Sequence, residues 1–238
     1  MRPKINPLCH PICFALPKQL TNSGWIQHTP FGLYIVDILR PKTIVELGTH
    51  TGVSYCAFCQ AVNDLKIDAS CYAIDTWEGD PHTGGYGSEV YQNLREHHDP
   101  LYGDFSILLM KNFDDALSDF ENGSIDLLHI DGYHSFNAVS HDYYSWLPKM
   151  SDQGVILLHD TNVFIEDFGV WQLWKNIKEK HGNFEFLHGN GLGILIAGQS
   201  PPESAIRLTK LTKVERQMFR MFFSFLGRFI YYLSRIKE

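Results

Sequence analysis

The chain has 238 residues, 44% hydrophobic and 20% charged, enough for one well-buried globular domain with extensions and too few for two large ones. Its net charge of −7 is uneven: residues 205–238 carry eight Lys/Arg against two Glu (+6), and the remainder carries twelve against twenty-five (−13). An acidic body excludes broad nucleic-acid binding and five cysteines exclude a disulfide scaffold. Pro3, Pro7, Pro11 and Pro17 break any apolar secretory stretch, so the chain reads as cytoplasmic.

In chain order, residues 1–30 form an N-terminal arm, 31–200 one domain, and 201–238 a basic amphipathic helix. Within the domain, β-rich runs at 43–47, 70–75, 105–110, 125–131 and 154–159 alternate with helical patterns at 52–65, 113–121, 136–147 and 166–180. That alternation predicts βαβ units and a parallel sheet. Two further runs, 184–188 and 192–197, flank Gly189-Asn190-Gly191 and can pair as an antiparallel hairpin. The fold class is therefore α/β: a doubly wound, Rossmann-like, seven-stranded sheet with a terminal antiparallel hairpin and a C-terminal helical extension. Cys56 and Cys59 form a C-x-x-C, but inside a helix and not at its N-terminus, so they read as core thiols. The stretch 77–104 reads as a long loop over the carboxyl edge of the sheet, acting as a lid.

The first strand runs into Glu46-Leu47-Gly48-Thr49-His50-Thr51-Gly52, where glycines allow a sharp turn and close approach of the backbone to a ligand. Asp75 ends the second strand, in Asp75-Thr76-Trp77, where a carboxylate can accept hydrogen bonds from both ribose hydroxyls of a nucleoside. The loop lacks a P-loop lysine and spare amides, so a sulfonium cofactor suits it better than a triphosphate. The fourth strand ends at Asp131-Gly132-Tyr133-His134 and the fifth at His159-Asp160. Neighbouring strand ends place Asp131 and Asp160 on one crevice, where two carboxylates can hold a hard divalent cation. Such a cation would lower the pKa of a bound hydroxyl, and His134 could take its proton. Taken singly, each of these residues is as readily a helix cap or a satisfied core histidine; their grouping favours the chemistry.

Residues 43–197 resemble the bacterial sugar O-methyltransferases related to macrocin O-methyltransferase, on Val45-Glu46-Leu47-Gly48, Ile74-Asp75-Thr76-Trp77, His129-Ile130-Asp131-Gly132-Tyr133-His134 and Leu158-His159-Asp160. The resemblance implies S-adenosylmethionine as methyl donor, contacted by Glu46, Gly48, Thr49, Gly52, Asp75, Thr76, Trp77 and Asp131. It also implies Mg²⁺ on Asp131 and Asp160, with His159 at the third ligand position and His134 as the base. The expected reaction is methylation of a hydroxyl on a small-molecule or glycosylated acceptor. The alternatives are a membrane-recruited, non-catalytic binding module on the same fold and a nicotinamide-dependent oxidoreductase, whose sheet would continue with another parallel strand.

Apolar residues at 208, 211, 214, 218, 222, 225, 229 and 232 describe one helical face, with arginines at 216, 220, 228 and 235 interrupting it too often for a membrane span. This pattern suits an interfacial helix at the inner face of an anionic membrane, or packing against a second subunit.

Overall fold

The computed structural model describes residues 5–80, 84–165 and 167–236. Its strands are β1 (Thr43–Leu47), β2 (Ser70–Asp75), β3 (Gly79–Asp80), β4 (Gly84–Gly85), β5 (Ser106–Met110), β6 (Ile125–Ile130), β7 (Met150–His159), β8 (Asn183–Phe186) and β9 (Leu192–Ile196). The α-helices are α1 (Thr29–Leu39), α2 (Val53–Asp64), α3 (Ser88–Tyr102), α4 (Phe113–Ala116), α5 (Phe136–Trp146), α6 (Val170–Ile177), α7 (Glu203–Thr209) and α8 (Lys213–Ile236). The main sheet has the order β5-β2-β1-β6-β7-β9-β8. Strands β5, β2, β1, β6 and β7 pair in parallel, β8 runs in the same direction, and β9 inserts antiparallel between β7 and β8, so the sheet does not continue in the parallel manner of a nicotinamide-binding domain. Strand order reverses between β1 and β6, which opens a crevice at their carboxyl ends.

Period-two alternation divides the core. Ile44 faces a layer with α1, α2 and α8, while Val45 and Leu47 face the layer of α5 and α6. Cys56 and Cys59 are buried free thiols in the first layer, and burial pushes the Cys56 thiol well up.

Four elements differ from expectation. Residues 88–102 of the expected loop form α3, whose inward side chains are only Leu94, His98 and Tyr102. One of the three is a histidine and Pro100 follows it, so the apolar period is too thin to read from sequence. His98 is satisfied there by Ser106 Oγ at 2.7 Å. Residues 81–83 of the same stretch lie outside the described residues. Helix α1 escaped notice for the opposite reason, since ten of its eleven residues are buried and no polar face marks a period. The pattern at 166–180 yields a helix only from Val170.

The C-terminal segment is two helices, not one. Thr212 and Glu215 form a reciprocal cap: Glu215 N donates to Thr212 Oγ1 at 3.3 Å, and Thr212 N donates to Glu215 Oε2 at 2.8 Å. Helix α8 lays Phe219, Phe223, Gly227, Ile230 and Ser234 against the body, around Phe31, Tyr34 and Phe186. Two of its arginines are drawn inward: Arg216 donates to the Thr209 and Asn183 carbonyls, and Arg220 to that of Glu185. Among the described residues no helix is long and apolar enough to cross a membrane.

At Gly227 the helix meets the backbone of the arm so closely that a Cβ would overlap the Gln27 carbonyl. Gly227→Ala should therefore lift α8 from the arm and cost about 1–3 kcal/mol, within the usual range for overpacking. Denaturant titration checks this, with an unchanged midpoint as the contrary result.

Candidate active site

The crevice holds a cavity of about 490 Å³. Its walls come from the β1–α2 loop (Gly48, Thr49), the end of β2 (Asp75, Thr76), the β6 and β7 ends (Asp131, His134, His159, Asp160) and the arm (Asn22, Ser23, Gly24).

The loop is shaped by Asp75. Its Oδ2 accepts from the Thr49 and His50 amides at 2.9 and 2.8 Å, and its Oδ1 from the Trp77 amide at 2.8 Å. The carboxylate expected to meet a ribose thus also organises the loop that would hold the rest of the cofactor. Gly48 sits at φ +85°, where a Cβ would overlap the Asp131 carbonyl, so only glycine lets β1 and β6 end this close together. Gly52 caps α2 at φ +78°. Trp77 is buried, its Nε1 donating to the His50 carbonyl at 2.9 Å and its ring packed on Tyr91.

Glu46, expected among the cofactor contacts, lies fully buried below the cavity wall. His129 Nδ1 contacts its Oε2 at 2.7 Å, and Trp25 Nε1 donates to His129 Nε2 at 3.0 Å. Because Nε2 is the acceptor, Nδ1 carries the proton and donates to Glu46. Burial raises the Glu46 carboxyl, and the His129 bond opposes that rise. This chain ties the arm to β6 and β1 beneath the pocket.

The second half of the cavity is a knot of two carboxylates and two imidazoles. His134 Nε2 lies 2.9 Å from Asp160 Oδ2 and 3.5 Å from Asp131 Oδ1. His159 Nδ1 lies 3.1 Å from Asp131 Oδ1, and its Nε2 is 3.1 Å from the Gly189 carbonyl. Both partners of His159 are acceptors, so both of its nitrogens donate and the ring is cationic. Burial opposes that charge, but Asp131 and Asp160 outweigh it and lift His159 to about 9. In the same way burial lowers His134, and hydrogen bonds to the two carboxylates overcome it, taking it to about 10. Asp131 is pushed up by burial, yet the two histidines hold it well below the carboxylate range. The His134 ring stacks on Phe168 at 4.8 Å and 8°.

Asp131, His134 and Asp160 each offer a ligand atom within 4.8 Å of the others, and the buried Asp160 Oδ1 has no hydrogen-bond partner. The two carboxylates of this group supply oxygen donors that fit a hard divalent cation. His134 completes that group, while His159 stands beside it, its Nδ1 3.1 Å from Asp131 Oδ1 and 3.4 Å from Asp160 Oδ1 and its Nε2 facing the Gly189 carbonyl.

Among the cavity residues that sequence reasoning did not name are Asn22, Ser23 and Gly24 of the arm, Asn112 and Phe113 after β5, and Asn190, all far from the glycine loop along the chain. Phe168, stacked on His134, was hidden in a stretch read as helix.

Asp142 of α5 is 7% exposed, and burial raises its carboxyl to about 7. Its folded pKa lies above the ordinary value of about 3.9, so the folded chain binds this proton more tightly than the unfolded chain. The resulting stability is full below pH ~4 and is lost as pH rises through about 7. Asp142→Asn should therefore stabilise the chain at pH 8 by about 1–3 kcal/mol and leave it nearly unchanged at pH 4. Melting curves at the two pH values check this, and an equal effect at both would contradict it.

Residues 45–161 match the family model described as a methyltransferase domain. The chain is 45% identical over 196 residues to an uncharacterized protein, y4gI, of Sinorhizobium fredii; the match covers 82% of this chain and 22% of that protein, so the chain spans about a fifth of that relative's length. Among solved structures it resembles the SAH-bound methyltransferase PaMTH1 of Podospora anserina, with TM-score 0.54, 16% identity and coverage of 71% and 77% of the two chains. It also resembles the O-methyltransferase TomG of Streptomyces achromogenes, solved in complex with SAM, with TM-score 0.53, 13% identity and coverage of 81% and 90%. At such identities the structural likenesses establish the Rossmann-like methyltransferase fold.

Proposed function

We propose that the chain transfers a methyl group from S-adenosylmethionine to a hydroxyl of a sugar or glycosylated acceptor, as in the macrocin-type enzymes its motifs resemble. The observation that carries this reading is the union, in one cavity, of a glycine loop cradled by Asp75 with the Asp131–His134–Asp160 cluster. The loop backbone at 48–51 would hold the methionine part, and the remaining lone pairs of Asp75 the ribose. Trp77 would act through the loop it supports and Glu46 through His129. The acceptor hydroxyl would give its proton to His134 Nε2 and its oxygen would bond to the methyl carbon as the carbon–sulfur bond breaks; the electron pair of that bond would pass to sulfur, and S-adenosylhomocysteine would leave.

In-line displacement depends on how the acceptor oxygen is held, and the polar wall of Asn22, Ser23 and Asn190 suits a carbohydrate. With two carboxylates turned on it, His134 keeps its proton and is a donor; it becomes a base at Nε2 once Asp131 and Asp160 are otherwise engaged. Mg²⁺ held by those carboxylates would supply charge to stabilise a developing alkoxide. Incubation with methyl-labelled S-adenosylmethionine and a panel of glycosides should place label in sugar methyl ethers. Label in amines alone would remove the oxygen acceptor and leave the donor intact.

A further inference from the structure

Helix α8 has a second apolar face, opposite the one it buries. Val214, Met218, Met221, Phe225, Phe229, Tyr232 and Ile236 are each between 53% and 79% exposed. At 100° per residue they fall in one narrow stripe along the whole length of the helix, so they are a continuous surface and not scattered exposures. The order of steps along the stripe is 4, 3, 4, 4, 3, 4, which reads the same from either end about Phe225. A two-fold axis at Phe225 would therefore set each residue of the stripe against another residue of the stripe on the second copy.

We propose that α8 is the interface with a second copy of this chain, the two helices packing antiparallel about a two-fold axis at Phe225. That arrangement sets Val214 opposite Ile236, Met218 opposite Tyr232, Met221 opposite Phe229, and Phe225 opposite itself. At roughly 100 Å² per exposed large side chain, seven of them give about 700 Å² on each copy, close to the ~800 Å² per partner of a stable interface. Phe222 and Phe14, in edge contact at 5.9 Å beside the stripe, extend it on one flank. The charges favour a copy over an anionic bilayer. Arg216 and Arg220 are spent on carbonyls of the body, and the chain outside 205–238 carries −13. The same helix braces the pocket through the Gln27 contact at Gly227 and through Arg235, which donates to Asn22 at 3.3 Å. This inference is independent of the reaction.

Light scattering on the full chain should give twice the chain mass of 27.3 kDa. Phe225→Arg, which places two cations on the axis, should give the single mass with an unchanged circular dichroism spectrum and a melting temperature that no longer rises with protein concentration. In a Cys9→Ser background, needed because Cys9 is exposed, Phe225→Cys should cross-link to itself, whereas Met218→Cys should cross-link only when mixed with Tyr232→Cys. A wild-type chain of single mass at every concentration, or a dimer untouched by Phe225→Arg, would overturn the proposal. So would a monomer that pellets with phosphatidylserine vesicles and loses that binding in Phe225→Arg, which would assign the stripe to a lipid surface.

Discussion

Gly48→Ala is expected to abolish cofactor binding and to destabilise the chain by more than about 3 kcal/mol, one of the largest effects of any single substitution here. Two costs combine. The residue sits at φ +85°, in the left-handed region that costs a side chain about 1–2 kcal/mol. The added carbon would also overlap the Asp131 carbonyl, backbone that cannot swing aside. Relieving the overlap means parting β1 from β6, and with them the two halves of the cavity. The Asp131 amide donates to the Leu47 carbonyl at 2.9 Å, so the separation would break that bond as well. Circular dichroism melts and adenosylhomocysteine titration check the prediction. A variant of wild-type stability that still binds the cofactor would show that the loop carries no such constraint.

Asp160→Asn is expected to lower methyl transfer by at least about 10²-fold while leaving the fold intact, the scale of losing a group that positions or stabilises charge at the reacting atoms. Asp160 Oδ2 faces His134 at 2.9 Å, and its Oδ1 lies 3.4 Å from His159 Nδ1 without a hydrogen bond. The amide keeps the shape and removes the charge on which both a cation and the His134 proton depend. Chelator should reproduce the loss in the wild-type chain and Mg²⁺ or Mn²⁺ reverse it, with no response in the variant. Undiminished turnover in chelator would remove the metal and leave the cluster as an acid–base pair.

Much of the fold was legible because its signals are local. Strands β1 and β2 fall on the residues expected, since β-branched and aliphatic runs between polar breaks mark them, and the hairpin of β8 and β9 follows from Gly189-Asn190-Gly191. The arm was opaque for a physical reason. Asn22–Gly24 reach the cavity through Trp25, whose indole seeks His129 more than a hundred residues away, and no periodicity encodes such a contact. Helix α3 was hidden by a histidine in its inward row, and α1 by the lack of any polar face. In the site, the strand-end aspartates announced themselves by position, because adjacent parallel strands must bring their carboxyl ends together. What sequence spacing did not show was that Asp75 spends three hydrogen bonds on backbone amides. Nor did it show two faces on α8: the stripe at 214, 218, 225, 229 and 232 was readable, but not that the face opposite is the one pressed to the body.

Titration calorimetry of the full chain with S-adenosylhomocysteine decides most directly whether this cavity is an adenosylmethionine site. The predicted result is saturable binding that Asp75→Ala weakens about 10- to 150-fold, the equivalent of losing charge-assisted hydrogen bonds worth about 1.5–3 kcal/mol. Saturable binding of NAD, with none of S-adenosylhomocysteine, would contradict it.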